Sequence, residues 1–197
     1  MTTIREKSMR LRRTSAALLA AGLVWCGTAN AAEQITATAI ITGLQGPVTT
    51  VVVDPNALIA EVNANVGKGV ANLPAWSQLA NLTQLIVDIE FEFDSTAIVP
   101  SSYQTLGAIA DALHHPLLAR YKFLVVGHTD AKGAADYNLK LSLARANAIR
   151  DALATTFAVP ANRLFAVGVG EELPYDPAHP DAASNRRVQL VNIGEVR

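Results

Sequence analysis

The chain has 197 residues, of which 50% are hydrophobic, 17% charged and 6% aromatic. Such a composition excludes a disordered chain and leaves a core built mainly from Ala, Val, Leu and Ile. The formal net charge is −1, and positive charge collects at the extreme N-terminus. The remainder is acidic without basic clusters, which argues against nucleic acid or an anionic membrane surface as partner.

Residues 1–31 read as a secretory signal peptide. Arg5, Lys7, Arg10, Arg12 and Arg13 form a basic head, and a short apolar run from Ala16 to Cys26 follows. Ala29-Asn30-Ala31 then supplies a small-x-small cleavage site. A membrane span needs about 20 apolar residues, more than this run provides. Cys26 follows Trp25. Lipid attachment at a Cys wants a small residue before it, so cleavage after Ala31 is the expectation. That cleavage leaves a chain without Cys and without disulfides.

Residues 32–84 read as an N-terminal extension of unknown role. Partial alternation over Ile35–Ile41, a turn at Gly43-Leu44-Gln45-Gly46-Pro47 and the β-branched run Val48–Val53 predict a hairpin. Asp54 with Pro55 behind it predicts a helix from about residue 55 to Val66. Pro74–Leu82 predicts another short helix.

From Leu85 the patterns sharpen. Leu85–Phe93 alternates, with Val87, Ile89, Phe91 and Phe93 on one face and Asp88, Glu90 and Glu92 on the other, as a strand does. Ser101–His115 reads as a helix with Leu106, Ile109, Ala110 and Leu113 inward. Strands are predicted at Tyr121–Val126, Leu164–Val169 and Arg187–Ile193, and a long helix at Tyr137–Phe157. The order βαβαββ predicts an α+β fold of two layers, two long helices on a mixed sheet.

The segment Gly127–Arg145, GHTDAKGAADYNLKLSLAR, carries the most chemical information. Asp130 ends an apolar strand, and Asn138, Ser142 and Arg145 form one stripe of the helix that follows. An anion at Asp130 facing a cation at Arg145 suits a small ligand bearing both an ammonium and a carboxylate. A structural ion pair is the plain alternative.

Several motifs recur here in a familiar order. They are Phe91-Glu92-Phe93-Asp94-Ser95, Gly127-His128-Thr129-Asp130, Gly133, Tyr137-Asn138, Leu141-Ser142, Arg145-Ala146, Gly168-Val169-Gly170-Glu171 and Asn185-Arg186-Arg187-Val188. Together they resemble the OmpA-like C-terminal peptidoglycan-binding domain, over residues 85–193. The resemblance implies a non-catalytic periplasmic module that holds the diaminopimelate side chain of the peptidoglycan stem peptide. On that reading Asp130 accepts from the ligand ammonium, and Arg145 grips its carboxylate through two parallel hydrogen bonds. Thr129, Asn138 and Asp94 match positions lining the site, and Arg186 or Arg187 approaches it. Residues 85–193 are expected to fold and bind without the extension. No cofactor or metal is implied.

Two other functions fit the sequence. One is an envelope assembly component that docks a protein partner through residues 32–84. The other is a wall-cleaving hydrolase. His128 beside Asp130 invites a catalytic reading, but no motif marks a Ser or Cys nucleophile. Glu171 and Glu172 are adjacent on a strand and point to opposite faces, so they would not flank one glycosidic bond. Asp111, His114 and His115 read as a solvated helix end stopped by Pro116.

Overall fold

The computed structural model describes residues 35–46, 53–92 and 95–195. The signal-peptide segment, Val48–Val52 and Asp94 lie outside the described residues. Three helices come first, α1 (Ala37–Leu44), α2 (Pro55–Ala64) and α3 (Pro74–Leu79). They are followed by β1 (Gln84–Val87), α4 (Ser102–His114), β2 (Tyr121–His128), α5 (Ala135–Thr155), β3 (Leu164–Gly170) and β4 (Val188–Glu195). The sheet runs β1-β4-β2-β3. β2 and β3 are parallel, and β4 is antiparallel to both β1 and β2. The mixed α+β order βαβαββ is the one the sequence predicts.

Alternation along the strands gives the sheet two apolar faces. Phe123, Val125, Leu164, Ala166, Val188 and Leu190 face one core, which Leu106, Ile109 and Leu113 of α4 and Ala146, Ile149 and Leu153 of α5 close. Leu124, Val126, Val167, Val169, Val191 and Ile193 face the other side. That second face is covered by the extension, through Val53, Leu58, Val62, Val70, Trp76 and Leu79. The helices over the first face are the expected layer, joined there by α1 through Ile40 and Leu44, and the α2–α3 part of the extension adds a third. Leu58 and Val62 are an i, i+4 pair, so α2 lays one narrow apolar stripe on the sheet.

The predicted N-terminal hairpin is not formed, since its first strand is α1. Thr36 caps that helix by accepting from the Ala39 amide at 3.3 Å. Ile40 and Leu44, one turn apart, are both fully buried. The Thr/Ala alternation imitates period two, but Ala is indifferent to burial; the large side chains Ile40, Ile41 and Leu44 carry the helical period. The two later helices form as predicted, with Asp54 accepting from the Asn56 amide at 2.9 Å ahead of Pro55.

Polar ties fix the extension in register. The Glu172 carboxylate accepts from the amides of Gly67 and Gly69. The Glu61 carboxylate accepts from the Ala75 amide at the start of α3, 3.0 Å from each oxygen. Leu44 ends α1 with its carbonyl accepting from Asn192 Nδ2 at 3.1 Å and Thr83 Oγ1 at 3.1 Å. At the other end of the first core, the Arg163 guanidinium is buried and donates to the carbonyls of Tyr121, Leu113 and Leu118.

β1 is shorter than the predicted Leu85–Phe93 strand. Beyond Val87 the chain leaves β4 and turns toward residues 97–102. Glu92 donates to Ala97, Val99 donates to Glu90, and Glu90 donates to Ser102 Oγ. The predicted alternation persists through this stretch, with Val87 and Ile89 buried and Asp88, Glu90 and Glu92 exposed. The divergence opens a groove at the end of the sheet.

Candidate functional site

The groove is built by one close approach. α5 lies directly on β2 and β3 because both strands present glycine to it. A Cβ on Gly127 would overlap the Ser142 carbonyl, and one on Gly168 would overlap the Leu143 amide. Ser142 Oγ then bridges helix and strand, accepting from the Gly170 amide at 2.8 Å and donating to the Leu139 carbonyl at 2.8 Å. The first turns of α5 are thereby fixed against the ends of the strands.

The apolar strand β2 gives way to a polar end at His128, where its register against β3 shifts. Three backbone bonds pin the exit. His128 donates to the Arg187 carbonyl at 3.1 Å, Thr129 to the Gly170 carbonyl at 2.9 Å, and Ala131 to the Pro180 carbonyl at 3.0 Å. Asn138, buried in α5, directs its Nδ2 at the Asp130 carbonyl (3.3 Å), the Lys132 carbonyl (3.1 Å) and Glu171 Oε2 (2.5 Å). Asn138 therefore shapes the loop around Asp130 from within.

Asp130 is held on both oxygens. Oδ1 accepts from the Lys132 amide at 3.2 Å, and Oδ2 accepts from Arg186 Nη1 at 2.6 Å. The Asp130 side chain is 10% exposed and that of Arg186 48%. Arg145 sits across the groove. Its Nε donates to the Ser95 carbonyl at 3.1 Å, and its guanidinium lies 4.9 Å from the centre of the Phe91 ring. Thr129 is buried, and its Oγ1 has no hydrogen-bond partner among the described residues.

Arg186 and Arg187 diverge. Arg186 turns to Asp130. Arg187 points elsewhere, donating from Nη2 to the Leu173 carbonyl at 3.0 Å and stacking 5.6 Å from the Tyr175 ring centre. Asn185, fully buried, sets this divergence. Its Nδ2 donates to the carbonyls of His179 and Pro180, and its Oδ1 accepts from the Asp176 amide.

Thr129, Asp130, Asn138, Arg145, Arg186 and Arg187 all line one groove of about 1070 Å³. The described residues predicted for the site are thus brought together. Residues 86–92, Lys132, Tyr137 and Leu141 complete the wall. Chemically, the groove offers a desolvated carboxylate at its floor and guanidinium groups on two sides.

His128 also borders the groove and is nearly fully buried. Burial, and secondarily the positive charge of Arg187, lower its pKa from the ordinary 6.5 to about 3. The ring is therefore neutral at neutral pH, with Nε2 3.1 Å from Gln189 Oε1. Elsewhere His115 caps α4, and His114 Nε2 is 2.9 Å from the Phe157 carbonyl. Among the described residues no three His, Cys, Asp or Glu side chains gather as a metal site. No described helix is long and apolar enough to cross a membrane.

The fold is thus a βαβαββ sandwich with a charged groove where α5 meets the strand ends. The sequence model of the OmpA family matches residues 90–187. The chain is 37% identical over 129 residues to outer membrane porin F of Pseudomonas aeruginosa, covering 64% of this chain and 35% of that protein. It is 36% identical over 130 residues to the peptidoglycan-associated lipoprotein of Haemophilus influenzae, covering 65% of this chain and 83% of that one. A crystal structure of the peptidoglycan-associated lipoprotein from Burkholderia pseudomallei is 32% identical, covering 62% of this chain and 95% of that one with a TM-score of 0.44. The chain belongs to the OmpA family. It spans about a third of the porin F relatives it matches and most of the Haemophilus lipoprotein.

Proposed function

We propose that this protein holds peptidoglycan non-covalently at its groove and so anchors or positions itself at the cell wall, in the periplasm. The ligand group is the zwitterionic end of a diaminopimelate side chain. Its ammonium goes to Asp130 and its carboxylate to Arg145, with Thr129 Oγ1 available as a further polar contact. Asn138 shapes the site, and Asp94, from the first-strand motif, belongs to the same reading.

The observation that carries this reading is the buried Asp130 carboxylate opposite Arg145 in one open groove. Opposite charges lining one partly desolvated groove suit a zwitterion better than either charge alone. The names of the lipoprotein relatives, which associate with peptidoglycan, support the same assignment. Catalysis is not part of it. His128, the group that invites a catalytic reading beside Asp130, is buried, neutral and turned to Gln189.

The test is co-sedimentation of the protein with purified diaminopimelate-type sacculi, with free meso-diaminopimelate as competitor. Retention in the pellet that free meso-diaminopimelate reverses is the expected result. Release of soluble muropeptides would instead support a hydrolase, and absence from the pellet would refute the assignment.

A further inference from the structure

We propose that Arg186 is a selectivity latch: it neutralises Asp130 in the unliganded site and yields it only to a ligand that brings a carboxylate for the displaced guanidinium. The inference rests on the zwitterion reading above and goes beyond it, because it explains how an amine lacking the carboxylate is rejected.

Asp130 in this structure has no unused charge to offer. Its Oδ2 is 2.6 Å from Arg186 Nη1, and its Oδ1 accepts from the Lys132 amide. An incoming ammonium therefore meets an anion already paired. Exchanging one cation for another at the same carboxylate gains little Coulomb energy, while the ammonium loses its own hydration. A ligand with ammonium and carboxylate on one carbon changes the balance. Its ammonium replaces the guanidinium, and its carboxylate gives that guanidinium a new partner beside Arg145. Guanidinium groups bind carboxylates through paired, charge-assisted bonds that an ammonium cannot reproduce.

The latch can move without moving the fold. The Asp130 side chain is 10% exposed, so the anion is fixed and desolvated, whereas Arg186 is 48% exposed and reaches it from the solvent side. The backbone beneath Arg186 is anchored at Asn185, whose amide side chain bonds the backbone of Asp176, His179 and Pro180. On the following residue, Arg187 is tied to the Leu173 carbonyl. Release of Asp130 therefore needs only a change of side-chain rotamer at Arg186. Lys132, which lines the groove beside Asp130, adds a second positive charge against an approaching bare amine.

The two side chains to be told apart differ by one carboxylate. The test is titration calorimetry with two synthetic tripeptides, L-Ala–γ-D-Glu–meso-diaminopimelate and L-Ala–γ-D-Glu–L-Lys. Each is titrated into the parent protein, Arg186→Gln and Arg186→Lys, with melting temperatures recorded alongside. The parent is expected to prefer the diaminopimelate peptide. Arg186→Gln leaves Asp130 un-neutralised, so its affinity for the lysine peptide is expected to rise about tenfold and the preference to shrink. Arg186→Lys keeps the neutralising charge but not the paired grip on a carboxylate, so it is expected to keep the lysine peptide excluded while binding the diaminopimelate peptide more weakly than the parent; should the glutamine variant fail to fold, a raised affinity of Arg186→Lys for the lysine peptide contradicts the latch. An unchanged affinity of Arg186→Gln for the lysine peptide, or a proportional loss for both peptides, also overturns it. If the parent binds neither peptide, the zwitterion reading itself fails, a different result from a parent that discriminates without the help of Arg186.

Discussion

Asp130 Oδ2 lies 2.6 Å from Arg186 Nη1, a pairing across 56 positions that joins the end of β2 to the segment before β4. Arg145, the cation the helical stripe singles out, stands on the other wall against the Phe91 ring and the Ser95 carbonyl. One guanidinium thus neutralises the carboxylate of the unliganded site, and the other is positioned from the far wall.

This division of labour makes Arg145 separable from the stability of Asp130. Arg145→Ala is expected to weaken sacculus binding by about 2–5 kcal/mol. That is roughly a thirtyfold to several-thousandfold loss. Arg145→Lys is expected not to restore it, because an ammonium lacks the fork. Asp130 retains Arg186 in either variant, so any fall in melting temperature should be limited to the loss of the contacts Arg145 itself makes, such as those to Ser95 and Phe91. Pellet assays beside thermal melts check both halves.

Gly168→Ala tests the close approach of α5. The added methyl would collide with the Leu143 amide nitrogen and with Ser142 Oγ, on a helix held from both sides. Overpacking of this kind costs about 1–3 kcal/mol or more. Because Ser142, Asn138 and Arg145 ride on the same helix, binding should fall together with thermal stability. An unchanged melting temperature would show that α5 can lift from the strand at no cost.

His128 predicts a specific pH dependence of stability. The folded-state pKa is about 3, below the ordinary 6.5. The unfolded chain therefore binds the proton first as pH falls. The contribution of His128 is intact above about pH 6.5 and is lost progressively between there and about pH 3, at up to about 1.4 kcal/mol per pH unit. Urea melts of the parent and His128→Gln across this window check it. The parent's stability should fall more steeply than that of the variant, whatever their difference at neutral pH.

The motifs alone lead to an expectation that residues 85–193 fold without the extension, but the sheet face the extension covers predicts that it contributes to stability. Residues 85–193 alone would expose Leu124, Val126, Val167, Val169, Val191 and Ile193, the face that Leu58, Val62 and Trp76 now cover. Leu58 is fully buried, and Leu58→Ala is expected to cost about 2–5 kcal/mol. The isolated 85–193 fragment should melt at a lower temperature and bind a hydrophobic dye. A fragment as stable as the whole chain would mean that the third layer contributes nothing to stability.

The long elements were legible because their periods run for many residues. α5 shows its buried stripe at Ala146, Ile149 and Leu153, and β2 is an unbroken apolar run between Phe123 and Gly127. The groove's described side chains were legible from the ordered motifs. α1 was misread because eight residues rich in Ala and Thr satisfy two periods at once, and the burial that decides between them comes from α4 and β1, far along the chain. The pairing of Asp130 with Arg186, the binding of Glu172 to the amides of Gly67 and Gly69, and the contact of Asn138 with Glu171 join residues 33 to 105 positions apart. No local pattern encodes such contacts, since the fold must exist before they do. The groove behind β1 was hidden for the same reason: the 85–93 alternation continues after the strand has left its partner.

The central claim is that a zwitterion, rather than a peptide or a sugar in general, is what the groove holds. Co-sedimentation of the protein and of Asp130→Asn with diaminopimelate-type and lysine-type sacculi tests it most directly. Lysine-type walls keep the glycan but lack the second carboxylate. Retention of the parent by diaminopimelate-type sacculi, weak retention by lysine-type sacculi and loss of the difference in folded Asp130→Asn is the predicted result. Equal retention of the parent by both walls, or unchanged retention of folded Asp130→Asn, would contradict it.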